Sequence, residues 1–125
     1  MTMRSFACAL ALLISSGASA GEPTAKDLFD LCVSPDPAKL ASCRGFIFGF
    51  YEGLRYADGA TMRSGQVQKD RPESLLCPPD NVNLAQMVSI FTATAVKLMP
   101  TYPADMQSPA QSIVFASLAT EFPCR

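Results

Sequence analysis

Five cysteines and eleven carboxylates are the side chains of this 125-residue chain with the widest choice of chemistry. A catalytic serine or cysteine usually takes its base from histidine, and the sequence contains none. A pair of carboxylates could act alone if both faced one cleft. Asp27, Asp30 and Asp36 lie in a short helical stretch and a turn, where solvated charges are the simpler interpretation. The sequence therefore predicts a protein that is not an enzyme, with a two-carboxylate enzyme as a minor alternative.

Metal and cofactor motifs are also missing from the sequence. Structural zinc sites use closely spaced Cys-x-x-Cys pairs and histidines, and neither is present. The glycines are spaced four apart among aromatic residues, unlike a phosphate-binding loop between a strand and a helix. We expect neither a metal nor a cofactor.

Residues 1–20 have the pattern of a secretory signal peptide. Arg4 precedes the apolar run "FACALALLI", which contains Cys8 and is too short to span a bilayer. The following "SSGASA" places Ala18 and Ala20 at the small-residue positions of a cleavage site. We expect residues 1–20 to be removed on export and residues 21–125 to form one domain.

The other four cysteines, Cys32, Cys43, Cys77 and Cys124, form an even set of the kind that stabilises small exported domains with disulfides. Three pairings are possible. The segment between Cys32 and Cys43, "VSPDPAKLAS", suits a turn between helices, which favours Cys32–Cys43 and leaves Cys77 with Cys124. Loop entropy predicts about 3 kcal/mol of stabilisation from the first bond and about 4 kcal/mol from the second.

Helical periodicity dominates the mature chain and predicts an all-α bundle of about four helices. Thr24 with Asp27, and Asn83 with Gln86, predict capping boxes at the starts of the first and third helices. The second helix is expected over about 38–63. Pro100 and Pro103 should end the third, and Ser108 should cap the fourth, with Pro109 at its first position.

The expected buried face of each helix follows from apolar spacings of three and four residues. The first three helices supply Leu28, Leu31, Cys32, Leu40, Cys43, Ile47, Phe50, Tyr51, Leu54, Leu84, Met87, Val88, Phe91, Ala95 and Leu98, and the fourth supplies Ile113, Val114, Phe115 and Leu118.

Charge disfavours two classes of partner. The chain has ten basic and eleven acidic side chains, a formal net charge of −1. Without a basic field, we expect no binding to nucleic acid and none to membranes.

Gly45, Gly49 and Gly53 lie within the predicted second helix, where each costs roughly 1 kcal/mol relative to alanine. A helix places these three residues on an arc of about 80°, beside the apolar face. Close approach of another helix would offset the lost propensity. We weigh two interpretations, an intramolecular helix crossing and the seam of a homodimer.

The segments "GFIFGFYEG" after a cysteine, "LCPPDNVNLAQMV", and "SIVFASLATEFPC" after a proline-marked break resemble the Rap1a/Tai family of immunity proteins in order and spacing. The resemblance covers about 28–124 and implies a small, all-helical, usually dimeric periplasmic protein. It implies inhibition of a peptidoglycan amidase, delivered through a type VI secretion system, by occlusion of the amidase active site. The same resemblance implies disulfides Cys32–Cys43 and Cys77–Cys124.

The loop before Cys77 is our first candidate for the amidase-binding surface, because polar loops on a braced scaffold are well suited to recognition. The candidate residues there are Gln66, Gln68, Lys69, Asp70, Arg71 and Glu73, and the turn "TYPADMQ" is the second candidate. The alternative function is a periplasmic stress chaperone of the small helical acid-stress type, which would expose apolar surface as the pH falls.

Overall fold

The computed structural model describes residues 21–63 and 76–124, which form four α-helices and one short 3-10 helix. The α-helices are α1 (Ala25–Cys32), α2 (Pro37–Arg63), α3 (Leu84–Thr101) and α4 (Ala110–Glu121), and the 3-10 helix spans Pro103–Gln107. No strand occurs in these two ranges. The predicted all-α, disulfide-braced bundle is confirmed.

Both predicted capping boxes are present. Thr24 Oγ1 accepts from the Asp27 amide at 3.1 Å, and the Asp27 carboxylate accepts from the Thr24 amide at 2.9 Å. Asn83 and Gln86 make the same reciprocal bonds at the start of α3, at 2.9 and 2.8 Å. Each pair satisfies amides that a helix start leaves without an intrahelical partner, so local sequence alone defines where α1 and α3 begin.

The start of α4 differs from the prediction. The helix begins at Ala110, one residue later than expected, and Ser108 is extended and does not cap it. Instead, the Ala110 amide donates to the Pro23 carbonyl, and the Ala25 amide donates to the Ser108 carbonyl, both at 2.9 Å. The two helix starts therefore cap one another through an antiparallel backbone bridge, a long-range arrangement that local sequence does not encode.

The core lies between α1 and α3, and both α2 and α4 pack against this pair. Phe91 is fully buried, with Leu28, Ile47, Val114 and Leu118 around it in one apolar cluster. The predicted buried face of α3 is confirmed, since Met87, Phe91 and Ala95, which follow one another at intervals of four residues, are all buried. Four core residues were not predicted, namely Ala25 and Ala110 at the bridged helix starts, Leu76, and Met106 in the 3-10 helix.

Two disulfides brace this bundle, and both predicted pairings are confirmed. Cys32–Cys43 joins the end of α1 to α2, and both residues lie in the core. Asp36 accepts from the Ala38 amide at 2.9 Å, so the tight turn enclosed by this disulfide also caps α2. Cys77–Cys124 joins the segment before α3 to the chain beyond α4. In the described residues no helix has the length and apolar character needed to cross a membrane.

Candidate partner-binding surfaces

The first candidate surface, the polar residues Gln66, Gln68, Lys69, Asp70, Arg71 and Glu73, lies outside the described residues. Its role in binding stays a prediction. The described part of the molecule offers three other surfaces, namely the outward face of α2, the turn after α3, and a cleft beside the C-terminal end of α4.

The glycines of α2 face away from the core. A Cβ placed on Gly45, Gly49 or Gly53 would meet no described atom within 4 Å, and all three residues are exposed. The physical reason is register, because the buried side of α2 is centred on Cys43 and Ile47, on the opposite side of the helix. The intramolecular crossing that we weighed is thus not found among the described residues. The dimer seam stays a prediction.

Large aromatic side chains border the glycines on this outward face. Phe48 is 51% exposed and Tyr56 is 79% exposed. Glu52 lies between them and pairs loosely with Arg55 at 3.4 Å. We call the set Gly45, Phe48, Gly49, Glu52, Gly53 and Tyr56 the outer face of α2. Small residues beside exposed rings form a surface that another chain can approach closely.

The turn after α3, 101–107, presents an exposed tyrosine on a well-anchored backbone. Pro100 was expected to end α3, but the helix continues through it to Thr101, and its end falls just before Pro103. The Tyr102 amide donates to the Leu98 carbonyl at 2.7 Å, and the Asp105 amide donates to the Tyr102 carbonyl at 3.0 Å. Met106 anchors the turn in the core at 2% exposure, whereas Tyr102 is 61% exposed. This geometry holds an aromatic side chain outward with little freedom to lose on binding.

A cleft of about 260 Å³ lies between the segment before α3, the first half of α3 and the end of α4. Half-buried apolar side chains, Val82, Ile90 and Phe122, line it together with the more exposed Asn81, Ser89 and Glu121. Sequence reasoning missed this site, because its walls come from two distant stretches, 79–90 and 121–122, that only the folded chain brings together.

The acids considered for catalysis have local structural partners. Asp27 accepts from the backbone amide and the hydroxyl of Thr24, and these hydrogen bonds, the backbone bond foremost, hold the pKa of its carboxyl below the ordinary value. Asp30 pairs with Lys26 at 2.6 Å, and Asp36 caps α2. These contacts fit helix capping and surface pairing. The part of the chain that the structure describes holds no group of three or more potential metal ligands.

The comparison with protein families decides the assignment. A family model described as "Rap1a immunity proteins" matches residues 24–124. The chain belongs to the Rap1a immunity protein family. No curated protein and no solved structure matches it.

Membership of the Rap1a family implies binding to a cognate secreted effector, and immunity proteins are not typically catalysts. The match extends over α1, α2, α3 and α4 and over all four paired cysteines. This Rap1a protein is therefore expected to act through a surface. The three surfaces described above are the available candidates in the described residues.

Proposed function

We propose that this Rap1a protein is a periplasmic immunity protein that binds a peptidoglycan amidase, delivered through a type VI secretion system, and inhibits it by occluding the active site. The family match over 24–124 is the observation that carries the proposal. The signal-like residues 1–20 support action in the periplasm, where the amidase would meet peptidoglycan. The protein contributes no chemistry of its own in this proposal.

The turn at 101–107 is the described surface that best suits occlusion of a cleft. Exposed tyrosines on rigid backbones are typical binding hot spots, and Tyr102 has this setting between Pro100 and Pro103. Because the Tyr102 side chain lies largely outside the core, its removal should leave folding intact.

The outer face of α2 is the proposed seam of a homodimer. Two copies could approach at Gly45, Gly49 and Gly53, since no described atom covers those positions. Pairing would also cover Phe48 and Tyr56, which are otherwise open to solvent.

The test exports type VI amidase effectors one at a time to the periplasm of a bacterium that also produces this protein. We expect the full chain to prevent lysis by one amidase and a chain without residues 2–20 to fail. In vitro, the purified protein should inhibit that amidase on isolated peptidoglycan. Protection against none of a broad amidase set would contradict the proposal.

Variants then locate the surface. Tyr102→Ala should weaken inhibition at least about tenfold, a loss typical of an aromatic hot spot. The matched control is Val33→Ala, which shortens a comparably exposed apolar side chain in the turn between α1 and α2. Equal inhibition by both variants would exclude the 101–107 turn.

A further inference from the structure

The cleft beside α4 combines an apolar lining with an acidic group that has no cationic partner among residues 21–63 and 76–124. Val82, Ile90 and Phe122 supply the apolar lining, and Glu121 contributes a carboxylate. The ion pairs among the described residues are Lys26–Asp30 and Glu52–Arg55, so no described cation pairs with Glu121. Within the described structure, the cleft therefore presents a carboxylate without an ion-pair partner beside apolar surface.

The end of α4 adds to this negative potential. Glu121 is the last residue of the helix, where carbonyl groups without intrahelical partners leave a partial negative charge. Cations are favoured at such ends, but the last turn of α4 contains no basic residue. Both the carboxylate and the helix end therefore favour a positively charged ligand.

The cleft is also held in shape before any ligand arrives. The Cys77 amide donates to the Phe122 carbonyl at 3.1 Å, and the Cys77–Cys124 disulfide joins the two walls. Within the segment before α3, the Val82 amide also donates to the Pro79 carbonyl at 3.1 Å. A pre-formed site loses little entropy when it binds.

The size of the cleft indicates what kind of ligand fits. Its volume, about 260 Å³, falls below the range of roughly 300–1,000 Å³ that is typical of small-molecule sites. A single long side chain with an apolar stem and a cationic tip matches this space better than a whole metabolite. Arginine suits it best, because its planar guanidinium forms bidentate bonds to carboxylates and stacks on aromatic rings such as Phe122.

We propose that this cleft receives an arginine side chain of the effector, with its stem on Val82, Ile90 and Phe122 and its guanidinium on Glu121. The proposal rests on the immunity function proposed above, since the effector supplies the arginine. It adds a second contact with the effector besides the 101–107 turn, and it gives the complex an electrostatic component.

The first test uses N-acetyl-arginine amide as a probe, because its only charge is the guanidinium. In titrations of the isotope-labelled mature protein, we expect shifts at the amides of Ile90, Glu121 and Phe122, with a dissociation constant in the millimolar range, about 4 kcal/mol of binding free energy. The uncharged citrulline analogue should bind at least about tenfold more weakly, a difference of about 1.4 kcal/mol. Absence of shifts at these amides, or equal binding of both probes, would overturn the proposal.

Variants test whether the carboxylate of Glu121 is the group that binds the guanidinium of the probe. Glu121→Gln should reduce probe affinity at least about fivefold, as expected for loss of a charged hydrogen-bond partner. The control, Asp105→Asn, neutralises an exposed acid in the 3-10 helix and should leave probe affinity unchanged. The chain has its own arginine near this site in sequence, Arg125. If Arg125→Ala strengthened probe binding about tenfold, Arg125 itself would be the ligand of the cleft and the proposal would be wrong.

The last measurement separates this inference from the proposed function. With an amidase that the wild-type protein inhibits, Glu121→Gln should weaken the complex at least about tenfold, and the loss should shrink at high salt because screening weakens exposed ion pairs. An unchanged affinity would overturn the cleft proposal and leave the immunity function intact. Failure of the wild-type protein to inhibit any amidase would instead contradict the proposed function, while the probe titration still decides what the cleft binds.

Discussion

The backbone amide of Ala25, the first residue of α1, donates a 2.9 Å hydrogen bond to the carbonyl oxygen of Ser108, two residues before α4. The Ala110 amide returns a bond of the same length to Pro23, and both alanines are fully buried. This bridge closes the bundle where the chain enters its first and last helices.

Hydrogen exchange should report the bridge directly. Amides at the first position of a helix usually exchange quickly because they lack an intrahelical partner. We expect the Ala25 and Ala110 amides to exchange at least about tenfold more slowly than the Leu84 amide, which opens α3 and has no such partner among the described residues. Equal rates at all three first positions would show that the bridge opens freely in solution.

The two disulfides should differ in their resistance to reduction. Cys77 and Cys124 are exposed, whereas Cys32 and Cys43 are buried, so a thiolate reaches the Cys77–Cys124 bond more readily. Under limiting reductant, alkylation and mass spectrometry should find Cys77 and Cys124 modified first. Modification of Cys32 and Cys43 at the same rate would indicate that reduction requires global unfolding.

The paired replacements of each disulfide measure its contribution to stability. Cys77→Ser with Cys124→Ser should lower the free energy of unfolding by about 4 kcal/mol, and Cys32→Ser with Cys43→Ser by about 3 kcal/mol before any loss of core packing, following loop length. Urea denaturation of the two double variants gives both values.

Gly49 offers a test of the proposed seam, because alanine and leucine at this position should have different effects. In a monomer, Gly49→Ala should raise the free energy of unfolding by about 1 kcal/mol, because the added Cβ meets open space and improves helix propensity. Gly49→Leu should separate a dimer that closes over this face, observed as a fall in mass by sedimentation.

The matched control is Ala116→Leu, which places the same leucine side chain at an exposed position of α4. It should leave the oligomeric state unchanged. A monomeric wild-type protein, or a dimer unaffected by Gly49→Leu, would exclude the outer face of α2 as the seam.

Asp27 should make stability depend on pH at acidic values. Its hydrogen bonds from Thr24 lower the pKa of the folded-state carboxyl below the ordinary value, so the unfolded chain binds the proton first. The stabilisation is complete above the unfolded pKa of about 4 and is lost as the pH falls through the lower folded-state pKa. In the Asp27→Asn variant, Tm should therefore fall less steeply below about pH 4 than in the wild type.

The control for this titration is Asp80→Asn, since the structure gives Asp80 no hydrogen bond or ion pair among the described residues. Its Tm profile should follow that of the wild type. Parallel profiles for Asp27→Asn and the wild type would rule out the capping box as a source of acid sensitivity. The same scan with an apolar-surface dye tests the chaperone alternative, for which fluorescence should rise as the pH falls.

Local patterns were sufficient for two helix starts, one buried face and one disulfide, because the physical cause of each is local. The capping boxes at Thr24 and Asn83 bond within one helical turn, so their residues identify the helix starts directly. Apolar spacing located the buried face of α3 around Phe91 for the same reason. The short, proline-containing turn made Cys32–Cys43 the natural pairing.

Long-range contacts explain where prediction and structure differ. Ser108 has the residue type of a helix cap, but its carbonyl bonds Ala25 and the chain stays extended there. The angular positions of the α2 glycines on a helix placed them beside the apolar face. Whether another element covers them depends on packing, and no described atom lies within 4 Å of a Cβ built on Gly45, Gly49 or Gly53. The Glu121 cleft combines two stretches, 79–90 and 121–122, that are far apart in sequence.

The sequence by itself determined the helical class, both disulfide pairings and the family, because these follow from periodicity, cysteine spacing and ordered motifs over residues 24–124. Only the tertiary structure decided which surfaces are free. Burial is a property of the assembled helices, so the open glycines, the outward Tyr102 and the acidic cleft emerge only when α2 and α4 are placed against α1 and α3.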